Sequence, residues 1–237
     1  MRVLLRLKSR SVLCFLIASC VLLSCPAFAD TGSMNCPGRM PATHAQLVEG
    51  DQNSSSHLQL SRKIASSTEV HIDVCAADLT ITGGSDSFRV TVDLGSPSTQ
   101  YTAADYLQTL EVSPGKVTLQ LHLPKSARAK VLVEIPSQVP GLQVNLGRGN
   151  LSLVADRVGG ERDINVGYGH VDFQGNADAY ESLQVNVGLG SLHDHRKGGE
   201  SHHLIVAHGF EGTGKGSIEI NVGMGSVDLN SGHGQPI

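Results

Sequence analysis

Apolar and polar residues alternate along the second half of the chain in a phrase that returns four times. It runs Val144-Asn145-Leu146-Gly147-Arg148-Gly149-Asn150-Leu151-Ser152-Leu153, then Ile164-Asn165-Val166-Gly167-Tyr168-Gly169-His170-Val171-Asp172-Phe173. It comes again as Val185-Asn186-Val187-Gly188-Leu189-Gly190-Ser191-Leu192 and as Ile220-Asn221-Val222-Gly223-Met224-Gly225-Ser226-Val227-Asp228-Leu229. A period of two predicts half-buried strands. The step from Val166 to Val171 is odd, so a straight strand would put these two valines on opposite faces. The chain must bend or bulge between them, and glycine is the residue that accepts the backbone angles of such a bend. Gly147 and Gly149, Gly167 and Gly169, Gly188 and Gly190, and Gly223 and Gly225 are therefore predicted as structural corners. Each phrase reads as two strands around a corner.

The phrase also has a rhythm. Its asparagines stand at 145, 165, 186 and 221, with gaps of 20, 21 and 35. A repeat of about 20 residues matches one coil of a solenoid, and the lack of a helix or a Leu-x-x-Leu pattern favours the β-helical kind. The gap of 35 reads as one coil plus an insertion within His193–Ala207. The asparagines could stack as a ladder of amides or serve the backbone of the corner. Because the long gap would interrupt a strict ladder, the spacing favours the corner.

Earlier segments alternate too: Glu69–Cys75, Leu79–Thr82, Phe88–Leu94, Leu110–Val112, Val117–Leu123 and Val131–Ile135. Their connections vary in length, as hairpins do, and Thr102–Thr109 suits one short helical turn. Pro136 and Pro140 separate the two styles within a single domain. The predicted fold is all-β. It is a single-domain β-solenoid, parallel β-helix-like in the C-terminal half, with more irregular, hairpin-like strands in the N-terminal half.

The start of the chain carries Arg2, Arg6, Lys8 and Arg10, then an apolar stretch from Ser11 to Ser24, then Ala27-Phe28-Ala29. That is the layout of a secretory signal peptide over residues 1–29. A rival reading is a lipid anchor at Cys25 or Cys20, each preceded by a lipoprotein-like box; Pro26 and the Ala-x-Ala site favour ordinary cleavage. Residues 30–56, rich in Ser, Gly, Asn and Pro, are expected as a flexible arm, and 57–237 as the domain. Losing four basic residues with the signal takes the formal net charge from −4 to −8. An acidic exported chain is a poor partner for nucleic acid, and no later stretch suits a transmembrane helix. The expected location is extracytoplasmic: periplasmic, secreted or at the cell surface. There, Cys36 and Cys75 are expected to form a disulfide, the alternative being two unpaired thiols. Aromatic residues make up only 4% and tryptophan is absent, which argues against a stacking platform for sugars.

The segment Val133-Glu134-Ile135-Pro136, the alternating strands and the Gly-x-Gly-x-[Val/Leu]-x-[Leu/Phe] units resemble the bacterial putative-adhesin family over roughly Ile64 to Leu229. That resemblance implies an exported β-solenoid domain without catalytic chemistry, with roles in surface attachment or envelope-stress sensing. The His-rich segment departs from the family's simple repeat.

Candidate chemistry is sparse. His193, His195, His202, His203 and His208 form the densest polar cluster and are the candidate ligands for zinc or another transition metal; otherwise no cofactor is implied. In a strand, His193 and His195 would share a side. The bland alternative is a solvated loop. Gly209-Phe210-Glu211-Gly212-Thr213-Gly214-Lys215-Gly216 nearly spells a phosphate-binding loop, but lacks the Ser/Thr after the lysine and is followed by a strand pattern. Ser152, Asp172, Glu219 and Asp228 occupy matching outward positions and read as a solvated face. The expectation is an exported, non-catalytic structural or interaction domain with an unidentified protein or surface partner. A metal-binding protein using residues 193–208 is the alternative, and a β-helical polysaccharide-active enzyme the weakest reading.

Overall fold

The computed structural model describes residues 47–95, 102–123, 129–136, 139–155, 160–175, 180–196 and 199–231. Twelve strands lie among them: β1 Gln52–Asn53, β2 His57–Arg62, β3 Glu69–Gly83, β4 Phe88–Asp93, β5 Leu107–Ser113, β6 Lys116–Leu121, β7 Lys130–Ile135, β8 Gly141–Ala155, β9 Glu161–Gly175, β10 Ser182–Asp194, β11 Glu200–Glu211 and β12 Ser217–Asn230. A 3₁₀ turn at Ala103–Tyr106 is capped by Thr102 and Asp105, in the segment where one helical turn was expected. The expected signal peptide, residues 1–29, lies outside the described residues, as do Cys20, Cys25 and Cys36. Strand β1 falls in the stretch read as an arm; there Arg62 grips both carboxylate oxygens of Asp51 at 2.6 and 2.7 Å.

All twelve strands belong to one sheet. Its order is β1-β2-β4-β7-β3-β8-β9-β12-β10-β11, with β6 and then β5 beside β3, and it does not close on itself. Strands β3, β8, β9, β12 and β10 run parallel, residue opposite residue: Asn145 faces Asn165, Asn165 faces Asn221, and Asn221 faces Asn186. This corrects the expected sequential coil order. The last strand, β12, slots between β9 and β10, and β11 runs antiparallel at the outer edge. The 35-residue gap is therefore no inserted loop; it holds an entire edge strand. In the N-terminal half, β5–β6 is a hairpin of the expected kind and β1–β2 is a second one that the arm reading did not include, but β3 pairs in parallel with β6, β7 and β8.

Strands β8, β9, β10 and β12 are each bent at their Gly-x-Gly. Ile164 and Val166 on one arm and Val171 and Phe173 on the other are all buried, and both arms feed one hydrophobic cluster. The bend is what lets a single sheet enclose a core. Gly169 shows why glycine is required. Its φ is +152°, and a Cβ there would lie 1.7 Å from the carbonyl oxygen of Gly149 on the next strand. A Cβ at Gly225 or Gly190 would meet the same obstacle, 1.6 Å from the carbonyl oxygen of Gly169 or Gly225 respectively.

Strand β3 makes the same bend with Cys75-Ala76-Ala77 instead. Its first arm pairs with β6 as far as Val74, its second with β7 from Asp78, and no described strand pairs with Cys75–Ala77 on that side. A Cβ therefore has room at Ala77. Cys75 is buried at this bend; the bridge expected from it leads to a residue outside the described set.

Candidate functional site

Three polar or exposed arrangements arise from the stack. The first is on the outer face of the first arms. Asn186 donates to Asn221 (2.8 Å), Asn221 to Asn165 (3.1 Å), Asn165 to Asn145 (3.2 Å), and Asn145 to the carboxylate of Asp73 (2.6 Å). The second amide proton of Asn165 goes to Asp163 (2.9 Å) and that of Asn221 to Glu219 (3.1 Å). Gln120 on β6 then donates to the other oxygen of Asp73 at 3.3 Å, and Thr109 on β5 to Gln120 at 3.0 Å. The asparagines thus form the amide ladder, not the corner role that the spacing favoured. The insertion of β12 between β9 and β10 is what keeps the ladder unbroken. Burial pushes the Asp163 carboxyl above its ordinary range, Glu219 adds to this, and the Asn165 hydrogen bond opposes it. The ladder is a structural device; its groups are already committed to one another.

The second arrangement is on the outer face of the second arms. Asp172 and Asp228 lie in register, with Ser152 in the same row, while Glu219 sits on the other arm. Asp172 accepts from Gln174 and Asn230, both at 2.7 Å. His170 meets the Ser226 hydroxyl at 2.9 Å. His193 lies in this face, between the hydroxyls of Ser191 (3.0 Å) and Ser201 (3.2 Å), with His195 stacked at 6.3 Å and His203 edge-on at 5.7 Å.

His202 and His208 are on the opposite face of β11. They stand opposite the buried Leu192 and Val185. Their rings lie 4.6 Å apart, and Glu200 joins them, so that one ligand atom from each of the three falls within 4.8 Å of the others. The five histidines of the sequence cluster are therefore split, two inside and three outside. Glu200 is the ligand-type residue that the sequence reading did not include. Next to them Arg196 binds Asp194 through two side-chain bonds (2.8 and 2.9 Å) and lies over the Phe210 ring at 4.4 Å. Burial raises the Asp194 carboxyl, but the Arg196 hydrogen bonds and charge outweigh it and hold the group below its ordinary range.

The third arrangement is the outer edge of the bend. The residue between the glycines is Arg148, Tyr168, Met224 and Leu189 in strand order, all in register. Tyr168 is 52% exposed, Leu189 49% and Met224 45%; on β11 Leu204 and Ile205 extend the row at 71% and 81%. The Arg148 guanidinium sits 5.3 Å from the Tyr168 ring centre. This apolar ridge was not read from the sequence, although the signal was there: the residue between each pair of glycines is large every time. The near P-loop, by contrast, is the end of β11 and its connection to β12, and a strand follows it as the pattern indicated. Among the described residues, no helix is long and apolar enough to cross a membrane.

No family model matches the chain, and no curated protein does. Among solved structures it is similar to a putative cell adhesion protein from Clostridium sporogenes, at 14% identity and a TM-score of 0.44, over 73% of this chain and 98% of that one. It is also similar to a putative lipid binding protein from Parabacteroides distasonis, at 12% identity and a TM-score of 0.32, over 75% of this chain and 64% of that one.

Proposed function

We propose that this protein is a non-catalytic interaction domain working outside the cytoplasm, and that it meets its partner along the ridge at the bend. The observation that carries this is the exposure of Tyr168, Met224 and Leu189 in one continuous row. The stack itself makes no demand on these positions. A side chain between two corner glycines points away from the core, so a polar residue would serve folding as well. Large apolar groups gathered in solvent instead mark a contact surface, and an exposed aromatic beside an arginine is the usual composition of an interface hot spot. Strands about 4.8 Å apart make the row from Arg148 to β11 roughly 20 Å long. The parallel stack behind it is a rigid, solenoid-like scaffold. A partner with an apolar groove, on another protein or a cell surface, fits this shape, and attachment at the envelope is the role we favour.

The test is a pull-down from envelope fractions with residues 30–237 and with a Tyr168→Ser/Leu189→Ser/Met224→Ser variant of the same thermal midpoint. The wild type should retain a partner that the variant loses. Equal capture by both would reject the ridge. N-terminal sequencing of the exported protein checks the location, with Asp30 expected as the first residue.

A further inference from the structure

We infer that Glu200, His202 and His208 form a binding site for a divalent transition-metal ion of the zinc class. Two imidazoles and one carboxylate are a ligand set that zinc takes readily, leaving one position for water. One atom from each already lies within 4.8 Å of the others. Ligands held at about 2.1 Å from one zinc ion stand about 3.4 Å apart, so modest side-chain rotation closes the set.

The bend of β11 is what brings the three together. Glu200 and His202 are on its first arm and His208 on its second, with Leu204 at φ 80° and Ile205 between them. Residues on the concave side of a bend converge. In β12, on the other side of β10, the inward positions are Ile220, Val222, Val227 and Leu229, all buried. β11 puts histidines where that strand has aliphatic groups.

The polar accounting points the same way. His202 Nε2 is buried and has no hydrogen-bond partner among the described residues; the nearest carboxylate oxygen, from Glu200, is 3.5 Å away. Buried polar atoms without partners are rare and call for a reason, and a metal ion supplies one. The outer histidines differ: both ring nitrogens of His193 face serine hydroxyls. Behind the site, Phe210 lies against His208 at 4.4 Å, and the charge of Arg196 is matched by Asp194. Bound there, the ion ties the two arms of the edge strand across Leu204 and Ile205.

Equilibrium dialysis of the tag-free protein, residues 30–237, against Zn²⁺ and Co²⁺ tests this. One ion per chain is expected. His202→Ala and His208→Ala should each weaken binding by about 100-fold or more, and Glu200→Gln by at least about tenfold. A His193→Ala/His203→Ala variant should bind as the wild type does. Zn²⁺ should raise the thermal midpoint of the wild type and leave that of His208→Ala unchanged, a readout that also shows the variant is folded. No stoichiometric uptake by the wild type, or loss of binding only in the outer-face variant, would overturn the site.

Discussion

Strands β11 and β12 are consecutive in sequence and flank β10 at one end of the sheet, yet they obey different rules. β12 is closed in by β9 and β10 and carries the full phrase, with Asn221 in the ladder and a Gly-x-Gly bend. β11 pairs on one side only, bends at Leu204 without glycine and replaces buried aliphatics by His202 and His208. The lesson is that the repeat is enforced by neighbours. A strand with a neighbour on each side must match both in register, in bend and in side-chain volume. An edge strand has to match one, and it is free to carry chemistry. The ligand set and the most exposed part of the ridge both lie there.

The sharpest test of this contrast is a pair of glycine substitutions. Gly169→Ala puts a methyl group against the Gly149 carbonyl at a φ that L-residues avoid. We expect a loss of more than about 4 kcal/mol, enough to prevent folding. Gly209→Ala on β11 meets nothing within 4 Å and has an ordinary φ. It should be neutral or stabilise by up to about 1 kcal/mol. Soluble yield and thermal midpoint report both, and equal effects would mean that neighbours do not set the rule.

The ladder gives the next test. Asn165→Leu strips partners from Asn145, Asp163 and Asn221 at once. Leaving such groups unpaired should cost about 3 kcal/mol. Asn186 donates only to Asn221 among the ladder residues, and Asn186→Leu should cost about 1 kcal/mol. Urea unfolding of the two variants measures the difference, and a larger loss at Asn186 would break the interior-versus-end comparison.

These tests also mark what was legible in the sequence. Alternation gave the strands, and the odd step from Val166 to Val171 gave the bends, because parity is a property of the chain alone. Strand order is different. Four strands of the in-register parallel stack, β8, β9, β12 and β10, carry the same phrase, so the phrase says nothing about which of them lies beside which. That is why the 35-residue gap looked like an insertion and the ladder looked interrupted. The bend of β11 was hidden for another reason: Leu204 marks it, not glycine. Without that bend, His202 and His208 seemed to belong with His193 and His203, and Glu200 to solvent.

Acid separates the ends of the sheet from its middle. Asp51 is held below the ordinary carboxylate range, first by its hydrogen bonds from Arg62, and Asp194 is held down by Arg196 against its burial. A depressed folded pKa means stability that is complete above the unfolded value and lost as the pH falls through the folded one. Asp163 in the ladder is shifted upward by burial, so its protonation on acidification favours the folded state. Hydrogen exchange between pH 7 and about pH 3 should therefore show β2 and the end of β10 losing protection before β9 does. At neutral pH, Asp51→Asn should cost about 2 kcal/mol. Uniform loss across the sheet would contradict the distinction between ends and interior.

The smallest effect on stability belongs to the ridge, and it separates what the repeat needs from what it displays. Tyr168 stands between two of the most constrained glycines in the molecule, yet half of its surface is in solvent. Its one described ring contact is the Arg148 guanidinium, an exposed pairing that contributes about 0.5–1 kcal/mol. Tyr168→Ser should therefore shift stability by no more than about 1 kcal/mol, although its neighbours Gly167 and Gly169 tolerate no side chain. A loss comparable to that of Asn165→Leu would mean that the ridge side chains hold the bend themselves. A negligible loss leaves their apolar character without a folding purpose, and binding is then the remaining physical reason for the row.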